Sequence, residues 1–285
     1  MWEKLLTYCE ICPRLCRINR TKETGFCRTN SEIKIASYNL HFGEEPPISG
    51  KNGSGTIFFT GCHLRCPFCQ NYPISQLLNG YSITPEKLLK IFFELQEKGA
   101  HNINLVTPTH YIARIAPVIQ KAKKSGLKIP LVYNSSGYER PETIRRLAGL
   151  IDIYLPDAKY GTDDAGKISG VNDYATVNQR ALREMWQQVG DLKIKNGLAV
   201  KGLIIRHLIL PDNLARTEKV LEFIAREISP DTYLSLMAQY HPAYLAAERN
   251  FPQKSLRRRL TIAEYNHFVD RAISLGLNRV LTQAI

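Results

Sequence analysis

The sequence has no apolar run that approaches the roughly 20 residues a helix needs to cross a bilayer. Residues 1–6 also lack the charged start and long apolar stretch of a secretory signal peptide. We therefore predict a cytoplasmic protein without a membrane partner. The reducing cytoplasm keeps thiols free, which suits thiolate metal ligands.

Cysteine is absent after residue 69, although the chain has 285 residues and seven cysteines. Cysteines placed at random in a core would be spread along the chain. An odd number gathered near one end argues against a disulfide framework and for metal sites. They form a group of four and a group of three: Cys9, Cys12, Cys16 and Cys27, then Cys62, Cys66 and Cys69.

A phosphate-binding loop is also missing, because the glycine-rich residues 50–55 lack its lysine and the Ser or Thr that follows. The formal net charge of +12 could suit nucleic acid, an acidic protein or a phosphorylated substrate. The basic residues are spread out, however, and the one dense run, 257–259, is short for a nucleic-acid patch. A solvated basic surface is the favoured interpretation, and a nucleic-acid partner is not.

The group of three cysteines has the spacing C-x3-C-x2-C and directly follows the apolar run 56–60, which is typical of a buried strand. Three thiolates on this three-cysteine loop (residues 61–71) can hold three corners of a four-iron cluster. The fourth iron then stays open for a substrate or cofactor, as in catalytic zinc sites. The usual electron-transfer pattern closes that corner with a fourth cysteine.

The group of four has the spacing C-x2-C-x3-C-x10-C and lies in a polar, basic stretch. We call residues 9–27 the four-cysteine segment. It is too short to bury its own core, so a metal would have to organise it. Four close cysteines fit a closed zinc site or a second four-iron cluster, and the sequence leaves the choice open.

We predict a metal-binding extension over residues 1–55 and a core over residues 56–285.

A connecting stretch links the two groups. Residues 33–38 alternate apolar and polar side chains, as a short strand does. The prolines of residues 41–47 indicate a loop, which carries His41, Glu44 and Glu45. These three side chains either face the active site or belong to an ordinary turn with surface acids.

Strands and helices alternate from residue 56 onward. The predicted strands are 56–60, 103–107, 129–134, 151–156, 202–208, 232–237 and, with a weaker signal, 279–282. One predicted helix begins at Pro85 after Thr84, and the others span about 111–125, 141–150, 174–189, 214–228 and 261–275. Near-continuous apolar strands are typical of parallel sheets covered on both faces. The pattern predicts an α/β fold, a partial (β/α)6 parallel barrel.

Polar residues follow each predicted strand, where parallel barrels carry their chemistry. The three-cysteine loop follows the first strand. The later sets are Thr107 and Thr109, Asn134 and Ser136, Asp157 and Lys159, Arg206 and His207, and His241. Six sets at one rim indicate a shared ligand site.

These features resemble the radical S-adenosylmethionine (SAM) superfamily, and more narrowly the enzymes related to pyruvate formate-lyase activating enzyme. The resemblance covers about residues 56–245 and rests on the motif from Cys62 to Cys69, on Asp157-Ala158-Lys159 and on His241. The four-cysteine segment, together with residues 41–47, resembles a subgroup described only as activating-enzyme-like.

The resemblance implies that Cys62, Cys66 and Cys69 hold a 4Fe–4S cluster whose open iron binds SAM. One electron from a reducing partner such as flavodoxin or ferredoxin would then release a 5′-deoxyadenosyl radical, which takes a hydrogen atom from the substrate. The implied SAM contacts are Phe68 and Gln70 beside the adenine, Asn134, Ser136, Asp157 and Lys159 around the ribose and methionine, and His241 on the adenosyl side. The substrate, whether a glycyl-radical enzyme, another protein, a peptide or a small molecule, is not implied.

One departure from the family concerns the second strand. The family usually has Gly-Gly-Glu there, contacting the SAM amino group, whereas this chain has Thr107-Pro108-Thr109. The hydroxyls of Thr107 and Thr109 can accept hydrogen bonds from an ammonium. We therefore expect an altered amino-group contact, and a substrate that differs from that of the true activating enzymes is at least as well supported.

The alternative function is a non-catalytic iron–sulfur or zinc protein, such as an electron carrier or an RNA-binding module. It predicts cysteine ligands without a cofactor cavity. The rim residues Asp157, Lys159 and His241 count against it. So does the absence of the interleaved aromatics that stack on single-stranded nucleic acid.

Overall fold

The computed structural model describes residues 2–283, and its centre is a sheet of ten strands. Residues 1, 284 and 285, the outer ends of the two predicted regions, lie outside the described residues. The strands are β1 (Ile33–His41), β2 (Ser54–Phe59), β3 (Tyr81–Ile83), β4 (Ile103–Val106), β5 (Leu131–Ser135), β6 (Ile153–Pro156), β7 (Lys193–Lys195), β8 (Leu198–Leu208), β9 (Tyr233–Met237) and β10 (Val280–Leu281).

Helices and short helical turns occupy the connections. The α-helices are α1 (Trp2–Thr7), α2 (Pro46–Ser49), α3 (Tyr72–Ser75), α4 (Pro85–Glu97), α5 (Ile112–Lys124), α6 (Pro141–Arg145), α7 (Asp163–Gly166), α8 (Tyr174–Val189), α9 (Thr217–Phe223) and α10 (Ile262–Ser274). A π-helical turn, Ile224–Ile228, extends α9. Two helix starts match their sequence signals. The Thr84 side chain accepts a hydrogen bond from Lys87 N at α4, and Thr261 and Glu264 form a capping box at α10.

Seven strands run parallel, in the order β10-β9-β8-β6-β5-β4-β2. The direction reverses at one side, where β1 pairs antiparallel with β2 and β3 pairs antiparallel with β1. The strand β7 forms an antiparallel pair with β8. Within residues 2–283 the two ends of the sheet, β3 and β10, share no hydrogen bonds, so the barrel is open. The predicted partial parallel barrel is confirmed.

The differences from the predicted elements lie mostly at exposed edges. The strands β3 and β7 were not predicted because they are short and mostly exposed, and so carry no apolar signal. The stretch 41–47 is not a simple loop, since His41 ends β1 and α2 begins at Pro46. A proline fits the first turn of a helix, where no backbone N–H is needed. The predicted helix 141–150 ends early, at Arg145.

The two faces of the parallel sheet have different surroundings. Ile57, Leu105 and Tyr133 point outward into the main core, which lies between the sheet and the covering helices. Their neighbours Phe58 and Val106 point inward, because successive side chains alternate between faces.

The interior of the barrel is apolar at the N-terminal ends of the strands and polar above them. Val132 in β5, Ile204 in β8 and Ile48 in α2 are fully buried in one apolar cluster. Two residues further along the same strands, Asn134 and Arg206 also face inward. They line a cavity of about 480 Å³, the barrel cavity, towards the C-terminal ends of the strands.

The loop after β5 packs closely on the loop after β6, and we expect Gly137→Ala to disrupt it. Gly137 has a φ of +70°, and an added Cβ would lie 1.9 Å from the Asp157 carbonyl oxygen. Left-handed strain and overpacking together should lower the free energy of unfolding by about 2–4 kcal/mol. Denaturant unfolding measures the loss. Gly126→Ala is the control, because Gly126 also has a positive φ but has nothing within 4 Å. Equal losses in the two variants would contradict the close approach.

Candidate functional site

The three-cysteine loop leaves the end of β2 at the rim where the other parallel strands end. Cys66 is buried, and Cys62 and Cys69 are half-buried. Each sulfur has a polar neighbour, which can stabilise a thiolate. These neighbours are Leu64 N, donating to Cys62 Sγ at 3.4 Å, Ser169 Oγ, donating to Cys66 Sγ at 2.9 Å, and Ser75 Oγ, 3.1 Å from Cys69 Sγ.

The surroundings of Cys62 and Cys66 favour their neutral thiols. Burial, followed by the charge of Cys66, raises the pKa of Cys62 to about 12. Burial also raises the pKa of Cys66, against the lowering effect of Lys159. Metal binding replaces such protons. In the described part of the chain, no three His, Cys, Asp or Glu side chains converge as the ligands of a single ion. A four-iron cluster spreads its cysteines over separate irons, so the donor set still fits it.

The loop after β6 brings a charged pair to the cysteines. Lys159 Nζ donates a hydrogen bond to Asp157 Oδ2 at 2.6 Å. Burial acts to lower the pKa of Lys159, but Asp157 and then Cys66 outweigh it and raise the pKa. Lys159 therefore stays protonated beside the three-cysteine loop.

The loop after β5 is tied to the cysteine loop through a histidine. His63 Nε2 lies 2.9 Å from Ser136 Oγ, and the ring is fully buried. Burial lowers the pKa of His63 to about 3, so the imidazole is neutral. Sequence reasoning did not select His63 as a site residue, although its place between the first two cysteines of the motif was a signal.

The segment after β9 covers the third cysteine. Gln70 Nε2 donates to Gln239 O at 3.2 Å and lies 3.2 Å from His241 Nδ1. The buried Phe68 ring packs edge-on against Tyr240, with ring centroids 5.7 Å apart. Gln70 and His241 are exposed, so both can contact a ligand at the rim.

The two threonines after β4 are separated. Thr107 is half-buried at the rim, and its backbone N donates to Asn134 O at 2.8 Å. Its φ of +58° is strained for a β-branched residue, a feature concentrated at functional sites. Thr109 is fully buried, and its hydroxyl donates to Glu139 Oε1 at 2.6 Å. Glu139 was not predicted, since nothing in the sequence indicates that it is buried.

The barrel cavity contains the acidic pair from the connecting stretch. His41, Glu44 and Glu45 all line it, so they do not form an ordinary turn of surface acids, and their place in the active site stays a prediction. Arg206 Nε and Nη2 donate to the two oxygens of Glu45 at 2.7 and 2.8 Å. Burial acts to raise the pKa of Glu45, but the Arg206 guanidinium outweighs it and lowers the pKa.

The four-cysteine segment brings its sulfurs into one neighbourhood. The Cys16 and Cys27 sulfurs both lie 3.5 Å from the point where a Cβ on Gly25 would stand. Burial raises the pKa of Cys9, and Cys16 and Cys27 add to it. Burial also raises the pKa of Cys12, with additions from Cys27 and Cys9.

A buried arginine lies beside these sulfurs. Arg20 is 1% exposed, and its Nη2 lies 3.8 Å from Cys27 Sγ and donates to Thr29 Oγ1 at 2.8 Å. Its other terminal nitrogen, Nη1, donates to His110 O. Among residues 2–283, Arg20 forms no ion pair with a carboxylate, and its Nε has no hydrogen-bond partner.

The two cysteine groups are in direct contact through arginines. Arg14 Nε donates to His63 O at 2.9 Å, and Arg65 Nη1 donates to Cys62 O at 2.7 Å. Both guanidiniums lie over the Phe26 ring, 3.7 and 4.3 Å from its centroid. The four-cysteine segment therefore packs on the three-cysteine loop.

Comparisons with known proteins identify a family. The model of the Radical SAM superfamily matches residues 56–224. An uncharacterized protein of Methanocaldococcus jannaschii, MJ0674, is 32% identical over 95% of this chain and 76% of its own length. A pyruvate formate-lyase-activating enzyme of Clostridium pasteurianum is 25% identical over 58% of this chain and 65% of its own length.

Solved structures share the fold. The FeFe-hydrogenase maturase HydG from Carboxydothermus hydrogenoformans superposes with a TM-score of 0.52 at 13% identity, over 76% of this chain and 49% of that one. This chain thus spans about half the length of that maturase. Methylornithine synthase gives a TM-score of 0.50 at 16% identity, over 75% and 60% of the two chains. None of the helices between residues 2 and 283 has the length and apolar character needed to cross a bilayer.

We expect Glu139→Gln to remove a pH dependence of stability. Burial raises the pKa of Glu139 from 4.5 to about 8. The folded state thus binds this proton more tightly than the unfolded state. Its contribution to stability is full below pH 4.5 and is lost as the pH rises to about 8. The loss is on the order of a few kcal/mol.

Denaturant unfolding between pH 5 and pH 8 measures this loss. The wild type should lose stability across the range, and Glu139→Gln should lose less, because the amide keeps the Thr109 hydrogen bond without a titrating proton. Glu97→Gln, at an exposed acid, is the control. A Glu139→Gln profile parallel to the wild type would show that the buried carboxyl does not titrate in this range.

Proposed function

The chain belongs to the radical SAM superfamily and is a radical SAM enzyme, and from this premise we propose that Cys62, Cys66 and Cys69 hold a 4Fe–4S cluster that binds SAM. The observation that carries the proposal is the placement of the three thiols on the loop after β2, at the rim where Lys159 donates to Asp157. When bound, the cluster and SAM supply a carbon radical that removes a hydrogen atom from the substrate, after one electron from a donor such as flavodoxin or ferredoxin.

The charged pair after β6 is proposed to orient SAM. Lys159 has three N–H donors and spends one on Asp157, so it can also bind the methionine carboxylate. Asp157 is an acceptor for ribose hydroxyls. Ser136 is held by His63, which leaves its position fixed for the same moiety.

The remaining SAM contacts are assigned from position at the rim. Phe68 and Gln70 would lie beside the adenine, and His241 on the adenosyl side. Asn134, at the mouth of the barrel cavity, would reach the ribose or the methionine. Thr107 would contact the amino group of SAM. Thr109 is left out, because its hydroxyl donates to Glu139.

A second metal at the four-cysteine segment is the finer part of this proposal. A buried guanidinium without an anion costs several kcal/mol. Four thiolates on zinc, or on an iron–sulfur cluster, carry a net negative charge that would balance Arg20. This supports metal at Cys9, Cys12, Cys16 and Cys27, within the proposed extension of residues 1–55, of which β1 and α2 also belong to the sheet and the barrel core. In the described residues no three ligands converge on a single ion, which favours a cluster over zinc, and metal analysis distinguishes the two.

The alternative of a non-catalytic electron carrier or RNA-binding protein is not favoured, because the family and the fold are those of radical SAM enzymes. The substrate stays a separate question. Activation of a glycyl-radical enzyme and modification of another protein, a peptide or a small molecule are all compatible with the rim.

We expect anaerobic reconstitution with iron and sulfide, followed by reduction with SAM present, to yield 5′-deoxyadenosine. Chromatography measures the product. Cys62→Ala should abolish it, because it removes one cluster ligand, while metal analysis should still find metal at the four-cysteine segment. Tyr8→Ala, which changes an exposed side chain, controls for activity lost during purification and reconstitution. Formation of no 5′-deoxyadenosine by the wild type would overturn the assigned reaction, and loss of all metal from Cys62→Ala would overturn the division into two sites.

We expect Arg20→Gln to weaken metal retention at the four-cysteine segment. Removing the buried countercharge should speed metal loss to a chelator by about 10–100-fold, the range typical of groups that support metal ligands. Arg17→Gln is the matched control, since Arg17 lies in the same segment with a 58% exposed side chain. Metal release followed over time in the Cys62→Ala background isolates this site. Equal rates of metal release from the two arginine variants would contradict the role of Arg20 as a countercharge.

A further inference from the structure

The barrel cavity carries more negative than positive charge. Among the described residues, the charged side chains lining it are Glu44, Glu45 and Arg206, so two carboxylates face one guanidinium. The carboxylate side chains are only 6% and 4% exposed. At such burial, charges are weakly screened by solvent, and an unbalanced one is costly.

Arg206 is already paired with one of the two acids. Its Nε and Nη2 form two parallel hydrogen bonds with Glu45, the geometry in which guanidinium and carboxylate match best. Glu44 shares only Nη2, and its other oxygen accepts from Asn104 Nδ2 at 3.0 Å. One carboxylate of the pair therefore has no cation of its own.

Asn104 fixes the position of Glu44 from within the barrel wall. Its side chain is fully buried, and its Nδ2 donates to Glu44 Oε1 at 3.0 Å. Asn104 does not itself line the cavity, so Glu44 is the group that a ligand in the cavity would contact.

This local charge is opposite to that of the whole molecule. The chain has a formal net charge of +12, so its overall field repels cations. The carboxylate of Asp157, just after the neighbouring strand β6, is paired with Lys159. The negative excess therefore belongs to the cavity itself.

The cavity opens beside the three-cysteine loop. Asn134 and Gln239 line it, and Gln239 O accepts a hydrogen bond from Gln70, the residue after the third cysteine. Ser136, Asp157 and Lys159, which are assigned to SAM, do not line it. The cavity thus adjoins the proposed SAM site and shares Asn134 with it, while the Asp157–Lys159 pair lies outside the cavity.

We propose that the substrate is a small molecule that presents an ammonium or guanidinium group to Glu44 in the barrel cavity. This rests on the proposed function only in that the substrate must reach the radical formed at the rim. A volume of about 480 Å³ is at the small end of ligand pockets. The cationic group supplies a positive charge that balances the excess carboxylate, together with N–H donors for Glu44.

The test measures the binding of small probes to the metal-loaded protein by ligand-observed NMR. The probes are n-butylammonium, n-butylguanidinium, 1-pentanol and pentanoate, which share an alkyl chain and differ in charge. The cationic probes should bind to the wild type, and pentanoate should not. Glu44→Gln should weaken binding of both cations by about tenfold or more, because it leaves Glu45 and Arg206 as a balanced pair and removes the excess negative charge.

Glu45→Gln is the second variant, in case the first does not fold. It frees Arg206 to pair with Glu44, so it also removes the excess charge and should weaken binding similarly. Glu97→Gln, at an exposed acid, should bind both cations as the wild type does. SAM affinity is measured for every variant.

Three outcomes would overturn the proposal: pentanoate or pentanol binding as tightly as the cations, unchanged cation binding in the folded Glu44→Gln and Glu45→Gln variants, or a loss of SAM affinity in Glu44→Gln without a loss of cation affinity. The last would assign Glu44 to the SAM ammonium.

Cation selectivity in a protein that forms no 5′-deoxyadenosine would overturn the proposed function alone. Formation of 5′-deoxyadenosine without cation selectivity would overturn this inference alone.

Discussion

The candidate chemistry depends on the parallel pairing of β2, β4, β5 and β6. Phe58 is level with Val106, Val106 with Asn134, and Asn134 with Leu155, so four strands end at one height. This is what brings the three-cysteine loop, Ser136 and the Asp157–Lys159 pair together from distant parts of the chain. A register shift of one residue would turn Asn134 outward and Tyr133 inward, and would remove both the core and the cavity lining.

Buried charges divide this rim into two regions. On the side of the three-cysteine loop lie Lys159 and the guanidiniums of Arg14 and Arg65, which donate to backbone carbonyls of that loop. Inside the barrel, the balance is reversed by Glu44 and Glu45 against Arg206. An unpaired charge in a low dielectric costs several kcal/mol, so the cations and carboxylates of each region need countercharges close by. The polarity of the two regions suits an anionic cofactor group on one side and a cationic ligand on the other.

Features with a local cause were predictable from the sequence. The apolar runs predicted the parallel strands, because a strand covered on both faces needs continuous apolar residues. The cysteine spacing indicated the loop, and the rim followed from the rule for parallel barrels. The positions of Glu44 and Glu45 were not predictable, since they depend on how β1 and α2 fold back into the barrel. Arg20 lies in a polar, basic segment where a charged side chain is expected to be exposed. Thr109 could not be distinguished from Thr107 by sequence, because only the turn between them buries one and leaves the other at the rim.

The contact between the two cysteine groups has consequences for how the rim is held. Arg14 donates to a backbone carbonyl inside the three-cysteine loop, and the loop's own Arg65 shares the Phe26 ring with it. Gly61 lies so close to the Cys27 backbone that an added Cβ would be 2.9 Å from its carbonyl oxygen. The segment is itself joined to the main core through the buried Cys9 and Ile11. The arrangement of the three-cysteine loop thus depends on a neighbouring segment that the main core holds in place.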